Sequence, residues 1–250
     1  MKYLFTVENA DMLRRYEAFA DDVRKDILAY IRHLQAHFAV TELPRAIEWT
    51  SEPIATQILS ELPIPAYTND RRIVFTPDLD SWRSIYLQQL CSLDPADARV
   101  RSVRSYYEIM LDHRHLLQIL GHELAHHSDW FVDDAYEQTV WFEEGMAEYI
   151  SRQFFFPERV FEESYAVNRT LVELLREKRG LRPLEDFGAA TYEGDYAGIF
   201  FAYWQSALAV KQIIDRLGGN VARAFDVYHH WCAGSRQTSL ASVFGLESHP

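Results

Sequence analysis

The run Gly121-His122-Glu123-Leu124-Ala125-His126 constrains this chain more than any other part of it. Residues four apart on a helix share a face, so His122 and His126 can present two imidazoles to one metal ion with Glu123 beside them. Two imidazoles are two of the three protein ligands that a catalytic zinc takes, its fourth position being left to water. The third must come from elsewhere, and Trp141-Phe142-Glu143-Glu144-Gly145-Met146-Ala147-Glu148-Tyr149 can supply it. Seventeen residues separate His126 from Glu144. That is enough to finish one helix, turn through the acidic stretch of Asp129, Asp133 and Asp134, and start a second helix packed on the first. Glu144 and Glu148 are again four apart and point the same way. The expected roles are Glu144 as metal ligand and Glu148 as acceptor for the far ring nitrogen of a ligand histidine, His122, whose tautomer it would fix. Glu143, turned by about 100° from Glu144, is expected to be a solvated or lobe-facing acid.

Taken together, these segments resemble the zinc site of the gluzincin metallopeptidases, the superfamily of thermolysin and aminopeptidase N. There the glutamate before glycine in W-x-x-E-G-x-A is the third ligand, and an acidic residue four positions later supports a histidine. Glu144 and Glu148 stand at those positions. Downstream, the stretch from Tyr203-Trp204-Gln205 to Leu217-Gly218 is similar to the helix that carries the catalytic tyrosine in the aminopeptidase branch. The resemblance covers roughly the second half of the chain. It implies a single zincin-like catalytic domain over residues 1–250, with one Zn2+ per chain on His122, His126 and Glu144 and a peptide or protein as substrate. Glu123 is placed to act as general base toward a metal-activated water. Tyr203 would donate to the developing oxyanion, with Tyr192 and Tyr196 as alternative donors. The G-x-M-E-N segment that helps aminopeptidases hold a substrate's amino terminus is absent, and Asp129 and Val132 stand where a metzincin would place glycine and histidine.

Two other functions use the same residues: hydrolysis of a non-peptide amide or ester, and a non-catalytic regulatory protein with structural zinc. A closed structural site would favour cysteine and would have no use for Glu123 or Tyr203. Cys91 and Cys232 lack metal-binding spacing and are expected to be buried thiols in a reducing compartment. His113, His115, His229 and His230 are expected to be surface or hydrogen-bonded core residues, and His127 a rim or packing residue. The formal net charge of -12 argues against a nucleic-acid surface. No apolar run has the length of a signal peptide or a membrane span, so the expectation is a cytoplasmic chain with no membrane partner, its oligomeric state open.

The expected architecture is α+β: a small mixed lobe with a few strands over residues 1–80, a mostly helical part over 81–250, and the metal site between them. Residues 2–8 read as a strand, and Asn9 or Asp11 caps a long amphipathic helix through about His37. A strand at Ala46–Thr50, a helical turn near Ile54–Leu62 and a strand at Arg72–Thr76 follow. Zinc peptidases commonly bind extended substrate along a sheet edge, but Ile73-Val74-Phe75 is read first as a core strand, an edge strand being the less favoured alternative. Helices are expected near 80–92, 97–111, 112–128, 139–155, 158–179, 195–217, 220–232 and 238–244, and residues 180–198 as a helix-free connection that could frame a cleft.

Overall fold

A computed structural model describes residues 1–60 and 63–246. The fold is α+β, and the strands all fall before residue 76 among the described residues. The chain divides into two compact units, one formed by Met1–Asp129 with Ile150–Glu158 and the other by Trp130–Tyr149 with Arg159–Pro250.

The first unit is built on a four-stranded sheet. Strands β1 (Lys2–Thr6), β2 (Ala46–Thr50), β3 (Ala66–Thr68) and β4 (Arg72–Phe75) lie in the order β1-β2-β4-β3. β1, β2 and β4 run parallel, with Lys2 opposite Ala46 and Ala46 opposite Arg72, while β3 runs antiparallel to β4. A parallel pair needs a helical crossover, and β1 reaches β2 through α1 (Ala10–Asp22) and α2 (Arg24–His37). Asn9 caps α1 by accepting the Met12 N–H at 2.9 Å. The single helix expected through His37 is thus two, parted at Val23, although the buried stripe of Tyr16, Ala20, Val23, Ile27, Tyr30 and Leu34 continues across the break. β2 is buried along its whole length. Its one acid, Glu48, is 4% exposed and accepts from Arg72 Nη1 at 2.5 Å and Thr6 Oγ1 at 2.8 Å. A buried carboxylate without such donors would cost several kcal/mol.

The sheet order decides between the two readings of Ile73-Val74-Phe75 in favour of the core strand. β4 is hydrogen-bonded on both sides, so Ile73-Val74-Phe75 is a core strand, and the outer position beside it belongs to β3. Three residues between Pro65 and Asn69 are too few to show the period-2 pattern by which strands are found in sequence. The helical turn expected near 54–62 begins earlier, with α3 (Glu52–Ile54) followed by a π-helical turn over Ala55–Leu59; its end, at Glu61 and Leu62, lies outside the described residues. Then come α4 (Leu79–Gln88), α5 (Ala98–Ile109) and α6 (His113–Ala125). Asp78, Asp97 and Asp112 cap them by accepting first-turn N–H groups.

The second unit is helical. It takes the first part of α7 (Tyr136–Phe155), then α8 (Glu158–Arg179), α9 (Ala189–Tyr192), α10 (Tyr196–Arg216), α11 (Val221–Cys232) and α12 (Leu240–Val243). Its centre is aromatic: Phe142 stacks on Tyr228 at 4.8 Å and on Phe244 at 5.6 Å, and Trp141 and Phe142 are fully buried. Asp195 caps α10 through the Gly198 N–H and takes both terminal nitrogens of Arg179, at 2.8 and 2.6 Å. Residues 180–198, expected to be helix-free, contain a 3-10 turn at Leu184–Asp186, the short α9 and the start of α10. Cys232 is buried, but Cys91 is exposed, contrary to expectation; both are free thiols. Cys91 sits in the 3-10 turn after α4, whose buried face is taken by Gln89 and Leu90.

Candidate metal centre

In the first unit, α6 carries His122 and Glu123. Its start is set by Asp112, which accepts from Arg114 N at 2.9 Å while His115 Nδ1 accepts from Asp112 N at 3.2 Å, a reciprocal cap that makes His115 a structural residue. The ten residues Leu116–Ala125 are all buried, so the last three turns of α6 are an interior helix. The helix ends at Ala125 rather than near 128, with His126 at its C-cap still in helical conformation and its N–H directed to His122 O. The chain beyond is pulled away by three tertiary bonds: Ser128 Oγ donates to Phe38 O, Asp129 N donates to Ala39 O at 3.2 Å, and Thr41 Oγ1 donates to Asp129 Oδ2 at 2.6 Å. His127 is tied to the outer strand, its Nε2 lying 2.7 Å from Thr68 Oγ1, and burial lowers its pKa.

Early termination of α6 leaves the histidine geometry intact. The Nε2 atoms of His122 and His126 stand 3.0 Å apart, with ring planes at 75°. Two nitrogens bound tetrahedrally to one zinc at about 2.0–2.1 Å would be about 3.3 Å apart, so this pair is close to chelating distance.

Glu144 lies in the second unit's stretch of α7 and is 5% exposed. Its segment is fixed by Gly145: a Cβ there would lie 2.5 Å from the carbonyl oxygen of Ser206 and 2.6 Å from Val210 Cγ2, so only glycine lets α7 come this close to α10. Tyr192 Oη donates to Glu144 Oε1 at 3.4 Å and stands 2.9 Å from Tyr203 Oη. The Tyr203 ring packs edge-on to Phe187 at 5.1 Å. Tyr196 lies at the start of α10, stacked on Phe200 at 6.4 Å. Negative charge is concentrated here: burial first, then the carboxylates of Glu144 and Glu143, holds the Tyr136 phenol well above its usual range.

One ligand atom from each of His122, His126 and Glu144 lies within 4.8 Å of the other two. These three residues can hold a metal ion. No family model, curated protein or solved structure matches the chain. The site is therefore read from its own chemistry. Two imidazoles and a carboxylate are a ligand set that suits zinc and related divalent transition metals, and three protein donors leave a coordination position open.

Of the remaining expected site residues, Glu123 is 7% exposed next to His122 on α6. Glu148 follows Glu144 by one turn of α7 and is half-buried, as is Glu143; contrary to expectation it does not accept from His122, whose buried Nδ1 is not hydrogen-bonded to it. His229 bonds the carbonyl of Trp130 at 2.7 Å, and His113 and His230 are exposed. The Thr68 contact to His127 had no sequence signal, because β3 itself had none. Tyr192 was visible as one of three tyrosines in thirteen residues, but its link to Glu144 depends on a connection with no periodicity. Among the described residues no helix is long and apolar enough to cross a membrane.

Proposed function

We propose that this chain is a zinc-dependent metallopeptidase of the gluzincin type. The observation that carries the reading is the convergence of His122, His126 and Glu144, each offering one ligand atom, in a setting that also contains a buried Glu123 and a carboxylate-linked pair of phenols. Bound there, zinc would act as a Lewis acid and bring the pKa of a water toward about 7. Glu123 takes the proton from the attacking water and passes it to the leaving nitrogen, so one carboxylate serves as base and then acid. Tyr203 would turn its single O–H, which points at Tyr192 Oη while Tyr192 donates to Glu144, onto the oxyanion that forms on the scissile carbonyl. In the resting site Tyr192 accepts from Tyr203 and donates to Glu144, which places the Tyr203 phenol beside the carboxylate.

The substrate in this reading is an extended peptide. β3 has a partner on one side only, and its Thr68 is bonded to His127, next to the ligand His126. A strand of substrate added there would satisfy its backbone groups without side-chain selection. Two free cysteines support a reducing, cytoplasmic setting for the enzyme.

The test combines metal analysis of the purified protein with digestion of a random peptide library, with and without a chelator. One zinc per chain and chelator-sensitive cleavage are expected, and Glu123→Gln should keep the zinc and lose the cleavage. Turnover that survives in that variant would remove Glu123 as the base, and a protein that takes up no zinc would remove the class.

A further inference from the structure

Away from the metal ligands, the second unit has an open cavity of about 290 Å3 among α8, α10, the 181–185 segment and the residues around α12. Three arginines line it, Arg176, Arg182 and Arg216, against a single carboxylate, Glu185. This is a reversal of sign in a chain of net charge -12. Among the described residues none of the three arginines makes an ion pair. Arg182 Nη2 donates to Asp186 O at 3.3 Å and to Thr191 Oγ1 at 2.9 Å, and Arg216 Nη1 donates to the carbonyls of Phe244 and Gly245 at 3.4 and 3.1 Å. A guanidinium has five N–H donors, so each keeps some for another acceptor. Neighbouring cations differ: Arg179 is neutralised by Asp195, and Lys211 by Glu162 and Asp215. The rest of the wall is largely apolar, Val172, Leu208 and Leu246 among it.

We propose that this cavity is a binding site for a small amphipathic carboxylate, its head held by Arg176 and Arg216 and its apolar body laid against Leu208 and Leu246. An apolar wall alone would select a neutral ligand, and exposed arginines alone would remain hydrated. Together they match a molecule with one charged planar end, which a guanidinium fork recognises with two parallel hydrogen bonds. At roughly 30 Å3 per water, the space holds about ten solvent-sized groups, which makes an eight-carbon carboxylate a suitable probe. The site requires nothing of the metal chemistry proposed above.

The experiment is calorimetric titration of the full chain with sodium octanoate after chelator treatment, so that a carboxylate cannot report on the metal ligands. One saturable event is expected, with hexanoate weaker by about tenfold for its two missing methylenes. Arg176→Gln and Arg216→Gln should each weaken octanoate binding by about three- to tenfold, and the double variant by more than tenfold. Arg176 is exposed, so Arg176→Gln should retain the wild-type melting curve, whereas Arg216→Gln also removes its bonds to the Phe244 and Gly245 carbonyls and is read only where circular dichroism shows it folded. Octyltrimethylammonium, with the same body and opposite charge, should not bind. The proposal is overturned by any one of three results: no saturable octanoate binding at millimolar concentration, affinity unchanged in the folded double variant, or the ammonium binding as well as the carboxylate.

Discussion

Gly145→Ala is the perturbation that most directly probes how the carboxylate ligand is placed. The added methyl would lie 2.5 Å from Ser206 O, 2.6 Å from Val210 Cγ2 and 2.9 Å from the Ser206 carbonyl carbon. That is about 1 Å inside ordinary contact, and two of the three obstacles are backbone. Neither can rotate away, so α7 and α10 must part or Ser206 must lose its place in the α10 ladder. Overpacking of this kind costs about 1–3 kcal/mol, and the better helix propensity of alanine returns at most about 1 kcal/mol. A net loss of about 1–2 kcal/mol follows, and in a chain of this length about 2–4 °C of Tm goes with each kcal/mol. Gly121→Ala is the matched control on α6. Its Cβ would meet Phe155 Cε2 at 2.6 Å and Tyr30 Cε1 at 3.1 Å, which are ring edges, and the Phe155 ring is only half-buried and can turn. Thermal melts of both variants after chelator treatment should therefore show Gly145→Ala lower by about 2–8 °C and Gly121→Ala close to wild type. Equilibrium dialysis should also show weaker zinc uptake by Gly145→Ala, because Glu144 shares the displaced turn. The reasoning fails if Gly145→Ala melts with the wild type and takes up zinc equally, or if Gly121→Ala is the more damaged of the two.

Zinc added at about 100 times its dissociation constant should stabilise the chain by about 2.7 kcal/mol, read as a rise in Tm; His126→Ala and Glu144→Ala should each abolish that rise. Tyr203→Phe should lower kcat by about 10²–10³-fold with KM little changed, and Tyr192→Phe, which removes only an orienting bond, by much less. Steady-state kinetics giving the opposite order would transfer the donor role to Tyr192. Burial lowers the pKa of His115, which is fully folded-in as a cap, and of His33, which also feels His37. Each favours its neutral form in the folded state, so its contribution to stability is complete above the ordinary value of 6.5 and declines as pH falls below it. Urea midpoints should therefore drop from pH 7.5 to pH 5.5, and His115→Gln should flatten part of that slope.

What could be read from the sequence follows from periodicity. The candidate metal-binding residues were legible because helical spacing puts His122 and His126 on one face, while Glu144 was added by the resemblance of its segment to W-x-x-E-G-x-A. Helices with a side-chain cap, such as α5 after Asp97 and α6 after Asp112, were found within a few residues of their observed starts. Their ends were less legible. Nothing local stops α6 at Ala125: it ends because Ser128, Asp129 and their partners at residues 38–41 capture the chain, and those partners are almost ninety residues away in sequence. Val23 parts α1 from α2 with no glycine or proline to mark the place, so the apolar stripe read as one helix. Strand order is equally non-local, which is why the sequence left both a core and an edge reading open for β4 and did not show β3 as the strand outside it.

The second unit also explains why the glycine and the tyrosine matter as much as the ligand they flank. A carboxylate on a helix has several rotamers, and a metal ligand must occupy one of them at little entropic cost. Gly145 sets the position of the α7 backbone by direct contact with the α10 backbone at Ser206. Tyr192 then restrains the Glu144 side chain from the opposite end, and Tyr192 is itself bonded to Tyr203, which stands one turn before Ser206 on α10. Ligand and phenol are thus referred to the same helix-helix contact. A shift of that contact would move both together, so variants at Gly145 should lose metal affinity and catalytic rate in step, whereas variants at Tyr203 should lose rate alone.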